Sequence, residues 1–171
     1  MSDTDLTLEL IDKGMLLPPF SGRECTQTLT PLPCGSLRRT INGTLVHLGP
    51  PSHRKFSSTI SCKDKRTPAF EELWEGVRVK VGCIQSLTQS IPKGTRQVHL
   101  ERPPLSLHLF DEDHVSWPID GNHDQWVSIP SDFPGGFLSY RPLLVMVVKK
   151  YHLETDEWGL MIGWSLELEE G

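Results

Sequence analysis

Hydrophobic and polar residues alternate with a period of two over many short stretches of this chain. Leu6, Leu8 and Leu10 alternate with Thr7 and Glu9, which predicts a half-buried strand over 3–11. The same alternation predicts strands at 25–32, 55–62, 77–84, 105–109 and 160–168, with a short one at 97–100. In the 55–62 strand Phe56, Ser58, Ile60 and Cys62 share a face, and in the last strand Trp164, Leu166 and Leu168 do. Residues 143–148 are apolar at every position, the mark of a central strand buried on both faces. Asn42-Gly43 divides 37–48 into a hairpin, with a type I′ turn that takes φ > 0 at both residues. One stretch has helical spacing instead. Thr67 is a cap, Pro68 suits the first helical position, Phe70, Leu73 and Trp74 fall at i, i+3, i+4, and Gly76 suits the end. A short helix over about 68–75 follows.

The elements add up to an all-β chain: a β-sandwich or partly closed barrel with one short helix and extended loops. Gly and Pro number 14 each and are spread along the chain, which cuts it into short pieces. The 171 residues suit one β domain, with a Pro/Gly arm at 14–23 and a long irregular region at 111–136. Trp74 and Trp164 fall on apolar faces and read as core. Trp117, Trp126 and Trp158 lie near turns and are the surface aromatics for a ligand such as a glycan.

The formal charge of −5 and pI near 5.8 argue against direct nucleic-acid binding, which needs a basic face. No apolar run approaches a membrane span, and the acidic start lacks the pattern of a secretory signal. A reducing compartment follows, so Cys25, Cys34, Cys62 and Cys83, which contain no C-x-x-C pair, are expected as free thiols. Neither a metal nor another cofactor is expected. Asp120, Asn122 and Asp124 begin like a calcium loop, but Gln125 and Ser131 stand where Gly and Glu are needed. No nucleophile elbow or phosphate loop is present, and non-enzymatic function is the expectation. An enzyme working through Asp120, His123 and Asp124 is a lesser reading. The charge is lopsided: Arg38-Arg39, Arg54-Lys55 and 63–66 make the first half basic, and 100–171 is acidic. Opposite faces of this kind suit contacts between neighbouring copies.

Several segments taken together resemble small structural proteins of tailed bacteriophages. They are Cys25-Thr26-Gln27-Thr28-Leu29, residues 37–46 (Leu-Arg-Arg-Thr-Ile-Asn-Gly-Thr-Leu-Val), Arg54-Lys55-Phe56 and 58–62, with Tyr140-Arg141-Pro142-Leu143-Leu144, 156–159 and 163–170 near the end. The resemblance covers about two-thirds of the chain, leaves 85–135 aside, and carries no catalytic residue. It implies a virion component of the tail, tail tip or neck, assembled in the host cytoplasm into a homo-oligomeric ring with other virion proteins as partners. Arg38, Arg39 and Tyr140 are the expected interface residues. A glycan-binding module and a capsid decoration protein are the alternatives.

Overall fold

The computed structural model describes residues 4–158 and 161–171. The chain is almost wholly β. The strands are β1 (Thr7–Leu10), β2 (Gly14–Met15), β3 (Thr26–Pro31), β4 (Ser36–Arg39), β5 (Leu45–Leu48), β6 (Phe56–Asp64), β7 (Arg78–Gly82) and β8 (Leu87–Ile91). They continue with β9 (Gln97–His99), β10 (Pro104–Asp111), β11 (Ser116–Trp117), β12 (Gly121–His123), β13 (Trp126–Ser128), β14 (Gly136–Thr155) and β15 (Ile162–Glu170).

The spine is β14, 20 residues long. Its second half lies in an antiparallel sheet of order β2-β1-β7-β14-β15-β6-β3, and its first half pairs with β8 and β10. The strictly alternating side chains of β14 therefore feed two cores. Leu144, Met146 and Val148 join Leu8, Ile60, Val81, Trp164 and Leu166 in one. Leu138 and Tyr140 join Ile91, Leu109, Val127 and Phe133 in the other, which the small sheet β12-β13-β9 covers. Leu143, Val145 and Val147 on the opposite face are half-buried, so this strand is fully buried on one face rather than on both. The larger sheet curls without closing. Gln27 on its last strand accepts the backbone N–H groups of Ile84 and Gln85, just past β7, and donates to Ser58.

The 14–23 segment is no free arm. Leu16 and Ser21 are buried, the Leu16 carbonyl accepts the Ala69 N–H, and the Trp164 indole donates to the Ser21 carbonyl at 2.7 Å. The helix expected at 68–75 is a chain of turns. Phe70 and Leu73 plug the core as their spacing suggested, but Trp74 stands 69% exposed rather than buried. Pro51–His53 is a single 3-10 turn. The 111–136 region is irregular, with the short strands β11, β12 and β13, and its Val127, Ile129 and Phe133 supply apolar side chains to the second core. The expected starts of the first and last strands, at Asp3 and Leu160, and Gly159 of the expected turn lie outside the described residues.

The cysteine expectation needs correction. Cys25 and Cys62 form a disulfide. They stand opposite one another because β3 pairs with β6 in the register Thr26↔Ser61. Cys34 and Cys83 are free, and burial pushes the Cys83 thiol up to about 11.

Candidate functional site

One element belongs to neither core. β4 and β5 pair only with each other, and every residue from Gly35 to Leu48 is exposed. Its neck is narrow because two glycines let the backbones touch: a Cβ at Gly35 would collide with the Leu48 carbonyl, and one at Gly49 with the Cys34 carbonyl. At the tip the Gly43 N–H donates to the Thr40 carbonyl, and the Thr44 N–H to the Thr40 hydroxyl. Gly43 has φ +79°, whereas Asn42 is not left-handed. The turn is thus type I with a glycine bulge, not type I′.

The register places Leu37 opposite His47, Arg38 opposite Val46, and Arg39 opposite Leu45. Each face of the hairpin therefore mixes aliphatic and basic side chains. Leu37, Ile41, Leu45 and Leu48 are all more than half exposed, Ile41 completely. Arg38 and Arg39 sit here as exposed residues, and Arg39 donates to the Gly43 carbonyl across the turn. Residues 32–55 also contain Arg54 and Lys55 and no carboxylate.

The root is held firmly. A cavity of about 430 Å3 between hairpin and body is lined by Cys34, His47, Arg54, Phe56 and Arg102 among others. Arg102 donates to both oxygens of Glu170 at 2.9 Å and to the Arg54 carbonyl, and its guanidinium lies over the Phe56 ring. Burial works against the Arg102 charge, but the Glu170 carboxylate outweighs it and raises the pKa above its ordinary value. Sequence reasoning missed this pair, because nothing in local spacing links positions 68 apart.

The other expected residues go elsewhere. Tyr140, expected at an interface, is buried in the second core, and that burial raises its pKa. Trp117, expected on the surface, packs edge-on against Phe133 and donates to Asp111. This bond, with the Val115 and Asp113 backbone N–H groups, holds the Asp111 carboxyl below its ordinary value. Trp126 and Trp158 are exposed. Trp126 leans on His99, Trp158 lies past the end of β14, and no ring contact joins any two of the three among the described residues. Asp120, His123 and Asp124 lie on the open β12–β13 hairpin, where His123 and Asp124 are 91% and 85% exposed. Among the described residues, no group of three or more His, Cys, Asp or Glu is placed to hold a metal, and no helix is long and apolar enough to cross a membrane.

Two further surfaces stand out. At the β1/β2 edge a groove of about 400 Å3 is lined by Leu10, Ile11, Asp12, Glu72, Val77 and Arg78 among others. On the outer face beside β14, the His108 and His114 rings each stack with Phe110, which also meets Phe137.

No family model matches the chain, and neither a curated protein nor a solved structure matches it.

Proposed function

We propose that this protein is a structural component of a tailed-phage virion, at the tail, its tip or the neck, and that it acts by assembling with sister copies into a ring. The β4–β5 hairpin is the observation that carries the assembly part. An isolated two-stranded hairpin is at best marginally stable in water. This one exposes Leu37, Ile41, Leu45 and Leu48 and contributes to neither core. Apolar side chains and free strand edges held out on a stalk favour pairing with another chain. The virion setting rests on the sequence resemblance, whose segments include the hairpin itself. Capsid decoration is the other virion role compatible with such an arm.

Light scattering and negative-stain imaging of the purified chain test the reading. A closed ring of defined order, about six copies, is expected for a head-to-tail contact that closes. A monomer at the highest soluble concentration, with or without the hairpin, overturns it.

The His108–Phe110–His114 stack beside Phe137 favours a second reading, a glycan-binding module. Aromatic faces on an open sheet stack on sugar rings. Glycan-array binding that is lost in Phe110→Ala and retained without the hairpin supports this reading over assembly.

A further inference from the structure

Resting on the assembly reading, we propose that the β4–β5 hairpin of one copy docks into the groove at the β1/β2 edge of a second copy of this chain. The topology sets up the contact. Leu10 pairs with Val79, Val79 with Met146, and Met146 with Glu170. Phe56 stands next in this row, because Ser57 pairs with Glu169, and Pro31 pairs with Phe56. One row of the sheet thus runs from the end of β1 to the end of β3. Strand directions alternate along it, so the chain leaves the row past Leu10 towards one end of the strands and past Pro31 towards the other. The groove and the hairpin root therefore occupy opposite edges and opposite strand ends. The Gly76 N–H, beside the groove, bonds the Val148 carbonyl, whereas Arg102, at the root, adjoins the segment that bonds Leu143. A hairpin rooted at one corner and a groove at the diagonal corner make a head-to-tail contact between copies, which repeats into a ring or a filament.

Chemistry matches geometry. The hairpin carries Arg38 and Arg39 with no carboxylate in 32–55; at its root Arg54 and Lys55 share a cavity with Glu101, and Lys55 donates to the Gly171 carbonyl. The groove lining itself is balanced, Asp12 and Glu72 against Lys13 and Arg78; the loop beside it adds Glu71 and Glu75, while Glu9 stands opposite Lys80. Lys13 is already paired with Glu72 at 2.7 Å. Glu71 and Glu75, beside the groove, are the carboxylates left to meet the arginines. The apolar parts match too. Ile11, Met15 and Trp74, on or beside these loops, are 40%, 70% and 69% exposed. Of these Ile11 lines the groove itself, with Leu10 and Val77, and gives an aliphatic side chain such as Ile41 an apolar wall to meet.

The test uses the full chain in a Cys34→Ser background. Copies carrying Ile41→Cys are mixed with copies carrying Ile11→Cys and treated with a short bis-maleimide. The expected product is a covalent dimer that forms in the mixture and not in either variant alone. In parallel, Arg38→Glu with Arg39→Glu should weaken self-association about tenfold or more, and Glu71→Arg with Glu72→Arg in the partner copies should restore it. Self-association without the mixed cross-link or the charge rescue overturns this contact and leaves the assembly reading standing. A chain that stays monomeric with and without the hairpin overturns both.

Discussion

Arg102 and Glu170 face each other as a two-pronged ion pair, Nε to Oε1 and Nη2 to Oε2 both at 2.9 Å, with about 10% of either side chain open to solvent. Glu170 also accepts the Phe56 N–H. The pair thus ties three distant segments together beneath the hairpin root. Removing one partner leaves the other charged and buried. Glu170→Ala should lower stability by about 3–5 kcal/mol. The double variant Arg102→Met, Glu170→Leu should lose less than that single change. Urea denaturation decides; a double variant weaker than the single would show that the charge pair is not what makes Glu170 costly to remove.

Cys83 should make stability fall at alkaline pH. Its thiol is pushed from an ordinary 9.0 to about 11, mainly by burial. Below pH 9 both folded and unfolded chains are protonated there, and the full contribution is present. Between pH 9 and 11 the unfolded chain ionises first, so stability drops, by about 2–3 kcal/mol in total at 1.36 kcal/mol per pH unit. Cys83→Ala should flatten this part of a stability–pH curve. An unchanged slope in the variant would assign the drop to other groups.

Thiol accessibility separates the four cysteines. Peptide mapping without reductant should recover Cys25 joined to Cys62. In the folded protein maleimide should label half-buried Cys34, and Cys83 only after unfolding. Breaking the disulfide with Cys25→Ala, Cys62→Ala should cost roughly 2–4 kcal/mol. Free thiols at both positions in oxidised protein would contradict the β3–β6 pairing.

The hairpin should be dispensable for folding. Replacing 36–48 by a short Gly-Ser linker removes no residue of either core. The thermal midpoint and urea stability should stay within about 0.5 kcal/mol, as for other surface changes. A large loss would mean that the hairpin packs on its own body.

Much of this fold was legible because half-buried strands print their faces in the sequence. Ile60, Cys62, Trp164, Leu166 and Leu168 all point inward as their alternation predicts. The hairpin was legible from Asn42-Gly43, although Gly43 alone takes positive φ. Where both parities are apolar, as at 143–148, the phase is hidden, and Tyr140 could not be assigned to the buried side. The 68–75 segment misled because Phe70 and Leu73 are anchored by successive turns, which reproduce a helical spacing over too few residues to distinguish the two. The disulfide, the Arg102–Glu170 pair and the groove depend on long-range register. Composition pointed to 100–171 as the acidic partner surface, whereas the groove lies within the half read as basic, and only the sheet order placed it at the corner diagonal to the hairpin.

β6 has a bearing on how this chain is made. Its neighbours in the sheet are β3, already synthesised when β6 appears, and β15, which comes far later. Phe56 and Glu170 are 114 positions apart. At about 5–20 residues per second, a ribosome needs roughly 6–23 s to supply the missing strand. Throughout that interval the nascent chain carries an unsatisfied strand edge beside an already exposed hairpin. The larger sheet therefore stays incomplete until β15 has been made, and the period of greatest aggregation risk falls during synthesis itself.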